Sequence, residues 1–120
     1  MKKIGFITTN KVFAQSLAAA INSRPDWEIE PHLLLDPRQA ALDAEVLALD
    51  AVVIDAADTA PDETEAFCRT LGQSAGCRLL LLVPKKGRRM AIRAVKNKVA
   101  DDFIFYDTSL EYLFAKLVTL

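Results

Sequence analysis

Apolar residues along this chain alternate between two rhythms. Short continuous runs give way to stretches that repeat every three or four positions, which predicts strands and helices in turn. Residues 2–8 (KKIGFIT) read as a first strand. Asn10 is placed to cap a first helix running to about Arg24, with Phe13, Leu17, Ala20 and Ile21 on its apolar face. Pro25 and Asp26 break that helix. Trp27 to Leu33 reads as a second strand, and Pro31 inside it predicts a sheet edge, since proline cannot donate to a ladder. Asp36-Pro37 opens a second helix to about Leu49. AVVID (51–55) is a short apolar strand ending on a carboxylate. A third helix starts near Pro61, with Asp62, Glu63 and Glu65 near its positive end, Arg69 near its negative end and Gly72 just past it. Leu79–Val83 is apolar on both faces, so it belongs in the centre of a sheet covered on both sides. Residues 87–98 form a fourth helix with Met90, Ala91, Ala94 and Val95 inward. Phe103–Tyr106 is the fifth strand. Ser109 caps a fifth helix with Leu110, Leu113, Phe114, Leu117 and Val118 on one stripe.

Five strand–helix units in succession predict an α/β fold, a five-stranded parallel sheet with helices on both faces. Right-handed crossovers and an edge position for the second strand give the order 2-1-3-4-5. In such sheets ligands and reactive groups gather at the carboxyl ends of strands one and three. Here those ends carry Thr8, Thr9, Asn10 and Asp55.

Composition narrows the class. The chain has 120 residues, 52% hydrophobic and 26% charged, which suits one domain with a substantial core and excludes intrinsic disorder. No apolar run approaches the ~18 residues of a membrane span, and the start lacks the apolar stretch of a signal peptide, so a cytoplasmic protein is expected. Two cysteines, Cys68 and Cys77, and one histidine, His32, make no zinc-site pattern. Net charge is −1, but it is unevenly spread. Twelve carboxylates lie between Asp26 and Glu65 against Arg38 alone, whereas Arg69 to Lys98 holds nine lysines and arginines and no acid. The molecule is expected to have an acidic and a basic region.

Two blocks carry a family resemblance. ADDFIFYDTSLEYLFAKL (100–117) is similar to the ADDYLTKPFSLEELLARI pattern of response-regulator receiver (CheY-like) domains, and DAVVID (50–55) to their D-L-V-L-L-D. The resemblance spans the whole chain and implies a flavodoxin-like, three-layer (βα)5 fold with Asp55 in the place of the phosphorylated aspartate. It also shows a degenerate site. The acidic pair that helps hold a divalent cation falls on Thr8 and Thr9, the hydroxyl residue after strand four on Pro84, and the phosphate-pairing lysine on Tyr106, with Asp107 in place of the following proline. Magnesium is therefore not expected to bind well, no cofactor is expected, and an acyl phosphate would bring about two negative charges to a site without its usual counter-charges. Asp55 is then a phosphoacceptor equivalent that is solvated or bonded to Thr8 or Thr9. Alternatively, it is ion-paired with Lys85, which stands where the family has a small residue. Phe103 occupies the place of the aromatic whose rotamer reports activation, and is read here as simply packed.

The resemblance implies a signalling module without enzymatic activity, a pseudo-receiver that works by dimerisation or by docking a signalling partner. It would be the N-terminal domain, residues 1–120, of a longer regulator with a DNA-binding or ATPase output, or a separate adaptor, with transcription regulation the expected output. The interface would use helix four, strand five and helix five, with Arg89, Arg93 and Lys96 meeting Asp101, Asp102, Asp107 and Glu111 across a two-fold axis. Direct nucleic-acid binding by the basic run ranks below that reading, because it has no interleaved aromatics and no phosphate loop. Two alternatives stay open: a flavodoxin-like protein binding a flavin or phosphate at the loop after strand one, and a conventional receiver phosphorylated on Asp55.

Overall fold

The computed structural model describes residues 1–8, 10–34, 36–56 and 60–120, except for the side chains of residues 37, 61 and 73–75. Strands β1 (Lys2–Ile7), β2 (Ile29–Leu34), β3 (Ala51–Asp55), β4 (Arg78–Val83) and β5 (Asp102–Phe105) form one parallel sheet in the order β2-β1-β3-β4-β5. Between and after them run α1 (Lys11–Asn22), α2 (Ala40–Val46), α3 (Pro61–Ala75), α4 (Arg88–Lys96) and α5 (Leu110–Thr119). The strand alternation explains the two cores. Ile4, Phe6, Val53, Leu80, Leu82 and Ile104 face α1 and α5, against Leu17, Ile21, Leu113, Phe114 and Leu117. Ile7, Val52, Ile54, Leu79, Leu81 and Val83 face the other way, against Ala40 and Ala44 of α2, Cys68 and Leu71 of α3, and Met90, Ala91 and Ala94 of α4. The leucine run of β4 is buried on both faces, as a central strand must be. Gly5 permits close packing at β1, since a Cβ there would lie 2.7 Å from Leu49 Cδ1.

Several boundaries differ from the expectation. Pro25–Trp27 form a 3-10 turn, and Glu28 takes a left-handed φ of 53°, so β2 begins only at Ile29. The indole of Trp27 packs on Phe114 at 4.4 Å between ring centroids. Asp36 Oδ1 accepts from the Arg38 N–H at 3.0 Å, but the turn it caps is a 3-10 turn, Pro37–Gln39, that precedes a short α2. α3 passes through Gly72 and stops at Gly76, whose φ of 65° makes the helix terminus. On α5, Leu113, Phe114 and Leu117 reach the core, while Leu110 and Val118 lie on the exposed margins of the stripe.

Candidate functional site

Sheet register sets the centre of the site. Ile7 of β1 pairs with Ile54 of β3, which brings the next residues along, Thr8 and Asp55, level at the carboxyl edge. Thr8 is buried, at 4% exposure, and Asp55 is half-buried. Thr8 Oγ1 donates to Asp55 Oδ2 at 2.7 Å and accepts the Asn10 N–H at 3.1 Å. Asn10 Oδ1 in turn accepts from the Phe13 N–H at 3.0 Å and caps α1. One threonine hydroxyl therefore ties the end of β3 to the start of α1. A hydrogen bond to a charged group is worth about 1.5–3 kcal/mol net.

Two aromatic residues close the same corner. Phe13 of α1 and Tyr106, just beyond β5, approach at 6.0 Å between centroids with planes tilted by 59°. Tyr106 is held in line with β4 by its N–H, which donates to the Val83 carbonyl at 3.2 Å. Beneath Asp55, the space bounded by Thr8, Phe13, Leu17, Val53 and Leu82 has no room for a water molecule. The sequence held no sign of this pair, because its members lie far apart in the chain and meet only through the β1–α1 and β5–α5 connections.

Pro84 is extended, with φ −70°, and leads into a 3-10 turn at Lys85–Gly87. Lys85 does not make the pairing with Asp55 that the sequence suggested. Its Nζ lies 3.2 Å from Asp107 Oδ2, and both side chains are exposed. The turn after β4 carries the lysine stem toward the β5–α5 connection. Phe103 packs edge-on against Phe105, at 5.6 Å and 80°, partly buried against the core that faces α2, α3 and α4. Thr9 lies outside the described residues.

Magnesium takes octahedral oxygen ligands, keeps several waters and binds the protein through one or two carboxylates. The described donors here are the Asp55 carboxylate and the neutral Thr8 hydroxyl, whose proton is committed to that carboxylate. Among the described residues, no group of three or more His, Cys, Asp or Glu is placed to hold a metal. Among the described residues, this corner offers a magnesium ion one carboxylate, already bonded to a hydroxyl.

Of the interface candidates, Arg89, Arg93 and Lys96 lie exposed on the outer side of α4. Arg93 bridges to α3, 3.4 Å from Glu65 and 3.9 Å from Asp62. The four acids expected to meet these cations across a two-fold axis each have a cation within their own chain. Asp101 pairs with Arg78 at 3.1 Å and accepts the Leu79 N–H, Asp102 pairs with Lys116, Asp107 with Lys85, and Glu111 with Arg24 at 3.5 Å.

Comparison with solved structures identifies the architecture. A two-component response regulator from Clostridium difficile matches with a TM-score of 0.82 over 99% of this chain and 94% of its own, at 18% identity. The fold is that of a response-regulator receiver domain. A second receiver-fold match is a response regulator protein from Burkholderia pseudomallei, solved with a phosphorylated aspartic acid, a calcium ion and citrate (TM-score 0.77, 22% identity, 96% of this chain and 65% of that one). A third is a pilus assembly-related protein from Burkholderia pseudomallei (TM-score 0.73, 19% identity, 98% and 87%). No family profile and no curated protein sequence matches the chain. Among the described residues no helix is long and apolar enough to cross a membrane.

Proposed function

We propose that this chain is a pseudo-receiver: a signalling module that acts through protein contact and not through phosphoryl transfer. The observation that carries the reading is the Thr8–Asp55 hydrogen bond. Where a receiver brings acidic ligands and a metal, a buried neutral hydroxyl donates to the aspartate. Where a receiver brings a lysine, Tyr106 leans on Phe13. A phosphoryl group added here would need its charge balanced by donors that these residues do not supply. The working face is α4 with β5 and α5, through which the module pairs with a second copy or docks a partner. It thereby regulates an attached or separate output in the cytoplasm, with transcription the output we favour. The fold's recurrence in a pilus assembly-related protein also suits a role by contact.

The test is an NMR titration of the 15N-labelled chain with beryllofluoride and magnesium. No saturable shift is expected at Thr8, Asp55 or Tyr106. Saturable shifts at millimolar magnesium that vanish in Asp55→Asn would overturn the reading.

A further inference from the structure

The outer side of α4 is the most concentrated cationic surface of the described chain. Arg88, Arg89 and Lys96 surround Ile92, which is 45% exposed. None of these three cations makes a hydrogen bond or ion pair with a described residue, whereas Arg93 beside them is engaged by α3. The carboxylates on β5 and α5 and in the turn between them are already matched internally. The complementary surface lies elsewhere. On α2, Leu42 and Val46 stand four residues apart on the solvent side, 60% and 73% exposed. Asp43 and Glu45 flank them, and neither carboxylate makes a hydrogen bond or ion pair with a described residue.

α2, α3 and α4 share one face of the sheet, with α2 against α3 and α4 tied to α3 through Arg93. The outer sides of α2 and α4 therefore look out from opposite flanks, one apolar with an acidic border and the other apolar with a basic border. We infer that the α4 surface of one copy receives the α2 surface of a second copy, so that the chain associates head to tail. This rests on the reading above only in that the module acts by contact through α4; it replaces β5 and α5 in that contact with α2 of a second copy. The patches differ in sign, so a two-fold pairing of either one with itself would set like charges together. A head-to-tail contact satisfies both and repeats, because each added copy presents a fresh α2 or α4. Two short helical faces bury less than the ~1,000 Å² of a stable interface, so the association is weak and salt-sensitive.

Sedimentation velocity of the 120-residue chain at low salt, from about 10 μM to 1 mM, tests this. The sedimentation coefficient of the native sequence should rise with concentration, and 0.5 M salt should abolish the rise. Arg88→Glu/Arg89→Glu and Asp43→Lys/Glu45→Lys should each remain monomeric alone, and an equimolar mixture of the two should recover association, since one supplies a native α2 and the other a native α4. Leu42→Ser/Val46→Ser, which keeps the charges, should also lose the rise. Leu42, Glu45, Val46, Arg88 and Arg89 are exposed and Asp43 is half-buried, and circular dichroism should show unchanged folding. If Asp43→Lys/Glu45→Lys associates like the native chain, the occupant is not α2 and this inference falls, while the contact reading stands. A native chain that is monomeric throughout also overturns the inference, and the beryllofluoride titration then decides the reading of Asp55 separately.

Discussion

Threonine at position 8 differs from valine in shape by very little, so its hydroxyl can be tested almost alone. Thr8→Val leaves the β1 terminus packed but removes the donor to Asp55 and the acceptor for the Asn10 N–H. The expected loss is about 1–3 kcal/mol in urea denaturation, with Thr8→Ser keeping most of it. A loss below about 0.5 kcal/mol for the valine variant, within the usual range for inert surface changes, would show that the bond does not organise the site. A second residue gives a pH effect. Burial, with the Glu65 charge nearby, pushes the Cys68 thiol from its ordinary 9.0 up to about 11. The unfolded thiol ionises first, so this contribution to stability is complete below pH 9 and is lost as pH rises toward 11. Melting temperature should fall over that interval, and less steeply in Cys68→Ala. At pH 8 a thiol reagent should label Cys77, which is partly exposed, well before Cys68. The placing of Thr8 and Asp55 at the carboxyl ends of β1 and β3 could be read from the strand pattern in the sequence. The partner of Lys85 could not, because the reach of a long side chain depends on the backbone of the turn that carries it.

Caps and breaks were legible at the scale of elements wherever one residue type forces one geometry. Asn10 and Ser109 cap α1 and α5 through the side-chain bonds their identities suggested, to Phe13 N–H and Tyr112 N–H. Glycine misled once. A glycine inside a helix costs only about 1 kcal/mol, so Gly72 lets α3 continue, and the left-handed Gly76 ends it. The α5 stripe was too wide on paper, because a helix lying on a sheet buries its central residues and leaves the flanking ones exposed. Lys2 shows what a local pattern cannot hold. Its ammonium donates to the carbonyls of Leu117, Val118 and Leu120 at 3.1, 3.0 and 2.7 Å, closing the C-terminal turn of a helix that follows more than a hundred residues later. Cations favour that end of a helix and satisfy carbonyls that have no helical partner. Lys2→Met should therefore lower stability by about 1 kcal/mol. Faster amide exchange should be confined to the last turn of α5 and the start of β1, and uniform acceleration across the sheet would contradict this clamp.

Across the whole molecule, the charge division visible in the sequence becomes spatial, but not as two opposed halves. Ion pairs from Arg93 to Glu65 and Asp62 join the acidic α3 to the basic α4, and the surplus charge remains on the flanks at α2 and α4. Stability should be unevenly spread in the same frame. β1, β3 and β4 are covered on both faces and bonded on both edges, whereas α2 is seven residues long, enters through a 3-10 turn and leaves through Ala48 at a φ of 55°. In dilute solution the amides of α2 should exchange faster than those of any other helix, and those of the three central strands slowest. Raising the concentration should then slow exchange in α2 and on the outer side of α4 together, while β5 and α5 stay unchanged. A symmetric pairing through α4, β5 and α5 would instead protect those three elements and leave α2 as fast as before. Hydrogen exchange at two concentrations thus separates two assemblies that use the same α4, and it does so without altering a residue.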